Sequence, residues 1–480
     1  MTVSAGNAIG ISTPSWLPTT TLDQMSRNEY DVLVVGTGAG GGAVIWRLCE
    51  HWRSTGKKVG VIEAGDLILP TNLRNVETMN PERVDALAYG SGGIVIPVPG
   101  TKFREIIAVG GRTLVWNAIS PRMRVKRESW HVPLQEMDQY YDIAEQALQV
   151  SGAYVEGSPI NRILLNRLWS EGYHYARKMP TATDMVPTKY GEMHSNVYFS
   201  SIKFLAGAVN RRPIDLAVLS RAVGVLASNG KVEGIEAATP DLRTYRIKAK
   251  KVVLCTSTIE TPRLLLYSGI PGPAIGHYLT THSVVWGAFP FNRTSYPYVT
   301  GTAGILLPEQ EGRPFQIQVE GPSRSLFYHD PFIPFQSVER IKVAGVGTVQ
   351  PRYDNRVSLN PCNRDRYGVP EVDVQMTYSP HDYAVSALAE QSVLRIASLL
   401  GFQSTPLTRD VPLQGDHESC TCRMGNDPMT SATNQFGQIH GIAGLFIADN
   451  SVIPKLEAAS PTLTTIALAL RTADYIARTS

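Results

Sequence analysis

The sequence predicts an α/β fold in which a Rossmann-like nucleotide-binding domain is interleaved with an α+β domain on an antiparallel sheet. Three observations carry this. An apolar run, Val32-Leu-Val-Val35, feeds into glycines 36, 38 and 41, the spacing G-x-G-x-x-G. A helical pattern follows, with Val44, Leu48 and Trp52 on one face. Lys58-Val-Gly-Val-Ile-Glu63 then reads as a second buried strand ending in an acid. Only glycine lets the turn bend and the backbone approach a pyrophosphate. The helix N-terminus supplies N–H donors for that anion, and the acid accepts from a ribose hydroxyl. G-x-G-x-x-G alone is a weak signal, since glycines also serve ordinary turns; the strand, helix and acid supply the context.

The later elements follow from local patterning. Asp215–Leu219, Val223–Leu226 and Lys231–Ile235 read as strands, the last two joined by an Asn229-Gly230 turn. Residues 288–345 are dense in aromatics and prolines, as in Ala288-Phe-Pro-Phe-Asn292 and Phe327–Phe335, and predict strands and long loops over a cleft. Tyr353–Leu359 and Val372–Tyr378 alternate as strands. Asp382–Leu400 reads as an amphipathic helix with Ala387, Leu388, Val393, Leu394 and Ile396 as core positions. A last helix runs to Ile476, with Ser460 as N-cap and Pro461 as its first residue. There is no internal repeat and no low-complexity tract.

At 480 residues the chain can bury a large core, and two to three domains are expected. Its 43% hydrophobic and 18% charged residues are ordinary for a globular protein, and a net charge of +3 gives no reason to expect nucleic acid. Five cysteines form no disulfide framework, and an odd count favours a reducing, cytoplasmic compartment. Cys420 and Cys422 have no second Cys/His pair at ligand spacing, so they read as buried thiols and no metal is expected. No apolar run reaches the roughly 18–20 residues that span a bilayer. Residues 1–27 lack the charged start and apolar core of a secretory signal. They read as an extended arm over the body, or over a neighbouring subunit of a homo-oligomer.

Further blocks carry a resemblance. His417-Glu-Ser-Cys-Thr-Cys-Arg-Met-Gly425, Gly444–Asp449 and Ser460-Pro-Thr-Leu-Thr464, taken with Glu63, resemble the glucose-methanol-choline (GMC) oxidoreductase family of FAD enzymes. Val109–Pro121 resembles the family's flavin-contacting loop and Val253–Leu266 its strand-to-helix return; Trp130–Leu134 and Tyr140–Glu145 are also typical. The blocks run from about residue 30 to the C-terminus in the family's order. Val109–Pro121 and Ser460–Thr464 are most similar to the sugar-oxidising branch, the pyranose 2-oxidase and bacterial C-glycoside 3-oxidase type. The resemblance implies an FAD domain assembled from 28–125, 200–285 and 405–480, and a substrate domain from 126–199 and 286–404.

It also implies site residues. Oxidising an alcohol removes the hydroxyl proton and a hydride from the same carbon, and a histidine suits the base role at neutral pH. His417 stands where the family's catalytic histidine stands. Ser460 departs from the pattern: the family places Asn or His there as partner of the base. Serine offers one donor and two acceptors with a shorter reach, and both substrate contact and helix capping stay open for it. Gly36, Gly38, Gly41, Glu63, Gly110, Gly111, Thr113, Asn117, Val223, Asp449, Pro461 and Thr462 match cofactor-contacting positions. Some sugar-oxidising relatives attach FAD through a histidine in the flavin loop. Val115 stands there and cannot form that bond, so non-covalent FAD is expected.

The implied activity is oxidation of a CH–OH group, a secondary hydroxyl of a sugar or glycoside, with hydride transfer to flavin N5 and oxygen or another oxidant as electron acceptor. Alternatives are oxidation of a hydroxylated natural-product intermediate, a non-redox FAD-containing lyase, and a flavin-binding scaffold without turnover.

Overall fold

The computed structural model describes residues 17–76, 93–98, 101–125, 130–186, 197–292, 301–321, 338–410 and 416–480. Residues 1–16 of the expected arm and the Phe327–Phe335 stretch lie outside them.

A five-stranded, wholly parallel sheet organises the nucleotide-binding half. Its strands stand in the order Leu445–Ile447, Val252–Leu254, Val32–Val35, Val59–Ile62, Asp215–Ala217. Numbered along the chain this is 5-4-1-2-3, the doubly wound order, whose switch point lies between the first and fourth strands. Strands 1, 2, 4 and 5 are buried at every residue, as expected where helices cover both faces. The helix Ala39–His51 and the C-terminal helix Thr462–Arg478 pack together in this core, and Val44, Leu48 and Trp52 are buried as expected. Leu134–Leu148 packs on the C-terminal helix in the same core.

A six-stranded antiparallel sheet organises the other half. Its order is Thr408–Asp410, Ser283–Asn292, Val338–Gly347, Phe315–Gly321, Ala303–Leu307, Arg177–Lys178. Period-two alternation gives it two faces. Ile317, Val319, Ile341 and Val343 pack with Ala389, Val393 and Ile396 of the helix Pro380–Leu399. Gln318, Glu320, Lys342 and Ala344 point the other way, into a cleft.

A four-stranded sheet includes the expected hairpin, Arg221–Ser228 with Lys231–Ala238. Asn229 and Gly230 both take positive φ, 50° and 72°, which a two-residue type I′ turn requires. Leu17, Leu22 and Met25, at the described end of the arm, are buried in the main core, and Leu22–Ser26 is a short helix closed by a capping box at Thr21.

Two readings of helices are corrected. In Pro380–Leu399 the buried stripe is Val385, Ala389, Val393, Ile396 and Ala397, while Ala387, Leu388 and Leu394 face outward. Leu388 and Leu394 are apolar but lie off the i, i+4, i+8 line that the sheet selects. The second concerns Ser460, which does not cap the last helix. That helix starts at Thr462, Pro461 occupies the cap position, and among the described residues no side chain bonds the exposed N–H groups.

Candidate active site

The loops at the carboxyl ends of the parallel strands converge on one large cleft. Gly36–Gly40 leave the first strand, Glu63 and Ala64 the second, Ser220–Ala222 the third, Cys255–Thr258 the fourth, and Asp449 and Asn450 the fifth. A doubly wound sheet places its ligand here, outside the strand ends at the switch point. The cleft encloses about 2010 Å³, its open mouth included.

The glycines are needed for contact. A Cβ at Gly40 would lie 1.7 Å from the Ala448 carbonyl oxygen, and one at Gly41 would lie 2.0 Å from that of Gly36. Gly36 has φ +94°, and a Cβ there would lie 2.5 Å from the Cys255 oxygen. At Gly38 nothing lies within 4 Å, so the backbone faces open cleft. Gly41 itself does not line the cleft; it lets the helix pack on the strand.

Glu63 is buried and tightly held. Its Oε2 accepts from Thr37 N at 2.9 Å and Thr37 Oγ1 at 2.6 Å, and its Oε1 accepts from Gly65 N at 2.9 Å. A carboxylate offers about four acceptor sites, and the Ala64 backbone N–H is a further donor to it. Burial raises its pKa, and these hydrogen bonds offset part of the rise. Asp449 differs. Its Oδ2 accepts from Ser257 N and Thr261 Oγ1, and its Oδ1 from Ser451 N and Ser451 Oγ. All four sites are filled by the chain's own donors, so Asp449 borders the cleft as the anchor joining two strand ends. Glycine clearances and an open Gly38 backbone, with Glu63 bordering the cleft at the end of the second strand, together fit an FAD nucleotide.

The loop after the second unit forms another wall. Gly110 and Gly111 take positive φ, 97° and 52°, and Gly110 N donates to Thr37 Oγ1 at 3.0 Å. Thr113 Oγ1 donates to Gly110 O and accepts from Ser201 N. Gly111, Thr113, Val115, Trp116 and Asn117 line the cleft, whereas Gly110 supports it from behind. Asn117 Oδ1 accepts from Arg74. Val223 does not line the cleft: it packs with Ala238 and Val369, and its neighbours Arg221 and Ala222 border the space. A register shift in the pairing falls at this residue, between Ala222 and Gly224.

His417, Ser460 and Thr462 meet at the junction between the nucleotide loops and the polar face of the antiparallel sheet. Ser460 is 7% exposed and Pro461 lies behind it. The N-terminal end of the last helix therefore faces the cleft with uncapped N–H groups, a site for developing negative charge. Beside His417, Arg112 Nη1 donates to Glu418 Oε2 at 2.6 Å, and its Nη2 lies 3.5 Å from Glu105 Oε1. Burial pushes the Glu105 carboxyl up to about 7, with Arg112 opposing the rise. His417 is held well below the usual imidazole range, first by burial and then by His282, Arg112 and Lys342.

Several members escaped sequence reading. His282, on the first residues of the strand system, touches His417; Arg112, Glu105 and Glu418 form the charged group beside it; Gln318, Glu320 and Lys342 form the far wall. Arg112 and Glu418 lie inside the family-like blocks without a pattern that marks their role, and the others stand in no spacing that marks a site. Cys420 and Cys422 are buried thiols, the former pushed up to about 12 by burial. Among the described residues no helix is long and apolar enough to cross a membrane.

Two family profiles, both described as GMC oxidoreductase, match residues 89–284 and 351–469. The C-glycoside 3-oxidase of Arthrobacter globiformis is 27% identical over 391 residues, 77% of this chain and 73% of its own. The 2-methyl-1,2-propanediol dehydrogenase of Mycolicibacterium austroafricanum is 26% identical over 94% of this chain and 96% of its own. The crystal structure of pyridoxine 4-oxidase from Mesorbium loti matches with a TM-score of 0.66 at 16% identity, covering 93% of this chain and 99% of that one. At that identity the likeness concerns the fold.

Proposed function

This chain belongs to the GMC oxidoreductase family and is an FAD-dependent alcohol oxidoreductase, and we propose that it oxidises a secondary hydroxyl of a sugar or glycoside. One observation carries the reading. A single cleft runs from the nucleotide loops to a sheet face bearing Gln318, Glu320 and Lys342, with His417 and Ser460 at the junction. A polyhydroxylated substrate offers hydrogen-bonding groups to all three side chains. The C-glycoside 3-oxidase relative supports the same class.

The Gly36–Gly40 loop and the N-terminus of Ala39–His51 would hold the pyrophosphate, Glu63 the ribose, and Gly111–Asn117 with Thr462 the flavin end. FAD, when bound, supplies the acceptor for the hydride leaving the carbinol carbon. His417 accepts the hydroxyl proton from the same carbon's oxygen, so alcohol becomes carbonyl with one proton and one hydride removed. Its depressed pKa keeps it neutral, and therefore able to accept, at neutral pH. Ser460 orients the hydroxyl. Burial first, and then His282 and Arg112, disfavour protonation of the base in the resting state.

FAD is held without a covalent bond, because Val115 offers no nucleophile. The reading includes the two-domain division given above, oxygen or another small oxidant as acceptor, and a reducing compartment in which the cysteines stay free. The diol dehydrogenase relative favours a second reading, a small diol; the charged far wall weighs against it. The test is anaerobic mixing with aryl C-glucosides, free sugars and 1,2-diols. Bleaching of the flavin by a glycoside or sugar, with all FAD released on acid precipitation, is expected. Bleaching by small diols alone would overturn the substrate class, and yellow colour kept in the washed pellet would overturn non-covalent binding.

A further inference from the structure

His282 is fully buried at the start of the strand Ser283–Asn292, outside every motif the sequence presents. Its Nε2 lies 2.7 Å from the backbone carbonyl oxygen of Glu457, and its Nδ1 lies 2.8 Å from Nδ1 of His417. The two rings meet edge to face, 86° apart with centroids separated by 5.0 Å. These contacts determine where the protons sit. A carbonyl oxygen only accepts, so His282 Nε2 carries a hydrogen and donates it to Glu457. Burial pushes His282 down to about 4, so its ring is neutral at neutral pH and holds one proton. Its Nδ1 is therefore a bare acceptor. The short contact to His417 is then a hydrogen bond only if His417 Nδ1 carries the proton. A neutral His417 with its proton on Nδ1 has its lone pair on Nε2, and among the described residues no hydrogen bond engages that nitrogen.

We propose that His282 is a positioning residue that holds His417 in the Nδ1–H tautomer and so presents Nε2 as the base toward the cleft. The chain of contacts runs Glu457 C=O, His282 Nε2–H, His282 Nδ1, His417 Nδ1–H, with the reactive nitrogen at its open end. The backbone carbonyl at the far end fixes the direction of every donor, because it has no alternative role. Tyr378 steadies the element: its hydroxyl donates to the His282 carbonyl oxygen at 3.3 Å. In the reaction the hydroxyl proton goes to His417 Nε2, leaving the ring cationic with both nitrogens protonated and the bond to His282 unbroken. No proton needs to leave His282.

The inference rests on His417 being the base, and its test separates the two ideas. The first arm uses unmutated FAD enzyme labelled with 15N-histidine, and reads long-range proton–nitrogen correlations of His417, assigned by the loss of its signals in His417→Gln. A protonated Nδ1 and a bare Nε2 are expected; the reverse tautomer would overturn the proposal whatever the activity. The second arm reads anaerobic flavin reduction by an aryl C-glucoside. His282→Gln can still donate to Glu457 but offers no acceptor at the Nδ1 position, whereas His282→Asn keeps an acceptor oxygen there. Reduction should fall roughly 10²- to 10⁴-fold in the glutamine variant, the range of a lost or wrongly tautomerised base. The asparagine variant should recover at least tenfold of that loss with the apparent dissociation constant little changed. Equal losses in both variants, or none in the glutamine variant, would overturn it. If His417→Ala reduces at the wild-type rate while the tautomer is as expected, the oxidoreductase role of His417 fails and the hydrogen-bond chain stands.

Discussion

The two ends of the cleft are built from different material. At the nucleotide end the wall is backbone: Gly36, Gly38 and Gly40 line it, and carbonyls of Cys255 and Ala448 crowd against positions where no Cβ fits. At the substrate end the wall is side chains drawn from far-apart segments: Trp116, Gln318, Glu320, Lys342, His417 and Ser460. A backbone wall recognises what all its ligands share, a pyrophosphate, and tolerates almost no substitution. A side-chain wall can be rewritten residue by residue while the sheet beneath it stays the same. Affinity for cofactor should therefore be lost by adding atoms at one end, and chemistry or selectivity by exchanging groups at the other.

The largest expected effect tests the substrate end. His417→Ala should leave FAD bound and slow flavin reduction roughly 10²- to 10⁴-fold, the usual worth of general-base catalysis. Loss of FAD together with the rate would show that the two ends are not separable. The wild-type enzyme adds a sign. Because His417 is held well below the usual imidazole range, the reduction rate should stay level as pH drops through 6.5; a decline centred there would contradict a base of that pKa.

Next in size is the buried partner. His282 is pushed down to about 4 in the folded chain, against about 6.5 when unfolded. Between those values the unfolded state binds more protons, so stability is fully present above pH 6.5 and is lost as pH falls toward 4. Its share is at most about 3.5 kcal/mol, from about 1.4 kcal/mol per pKa unit. Denaturant melts across pH 4–7 should show a slope that is shallower in His282→Asn. Identical slopes would remove His282 as the source.

Gly40→Ala probes the backbone end. A Cβ 1.7 Å from the Ala448 oxygen forces strand ends apart, at a cost of about 1–3 kcal/mol or more, and purified protein should be colourless or lose FAD on gel filtration. Normal FAD content would mean that the loop yields and the wall is not rigid. The smallest effect belongs to Ser460→Ala. Since Ser460 caps nothing, stability should hold within about 0.5 kcal/mol. Losing one orienting hydrogen bond should slow reduction roughly 2- to 10-fold, from about 0.5–1.5 kcal/mol. A drop in melting temperature with an unchanged rate would return Ser460 to a structural role.

The backbone end was legible because its physics leaves few residue choices. Gly36 and Gly41 are required by close approach of backbone, and they fall with Gly38, the preceding apolar strand and Glu63 within one short stretch. The flavin loop at 110–117 and His417 were reached through family resemblance. The C-terminal helix was legible in its length but not at its first turn, where Pro461 takes the cap position that local preference assigns to Ser460. The helix Pro380–Leu399 was legible as a helix, yet its buried stripe was misphased. Leu388 and Leu394 are as apolar as the residues that face the sheet, and only the sheet's position chooses between them.

By itself the sequence determined the nucleotide unit and the alternation of strands, because backbone conformation and period-two or period-3.6 burial are short-range constraints written in neighbouring residues. Tertiary structure alone decided that His282 meets His417, that Asp449 spends its four acceptor sites on the chain's own donors, and that Val223 packs with Ala238 and Val369 away from the cleft. Those outcomes depend on which distant segments a sheet brings within about 3 Å of one another, the reach of a hydrogen bond, and no local pattern encodes that distance.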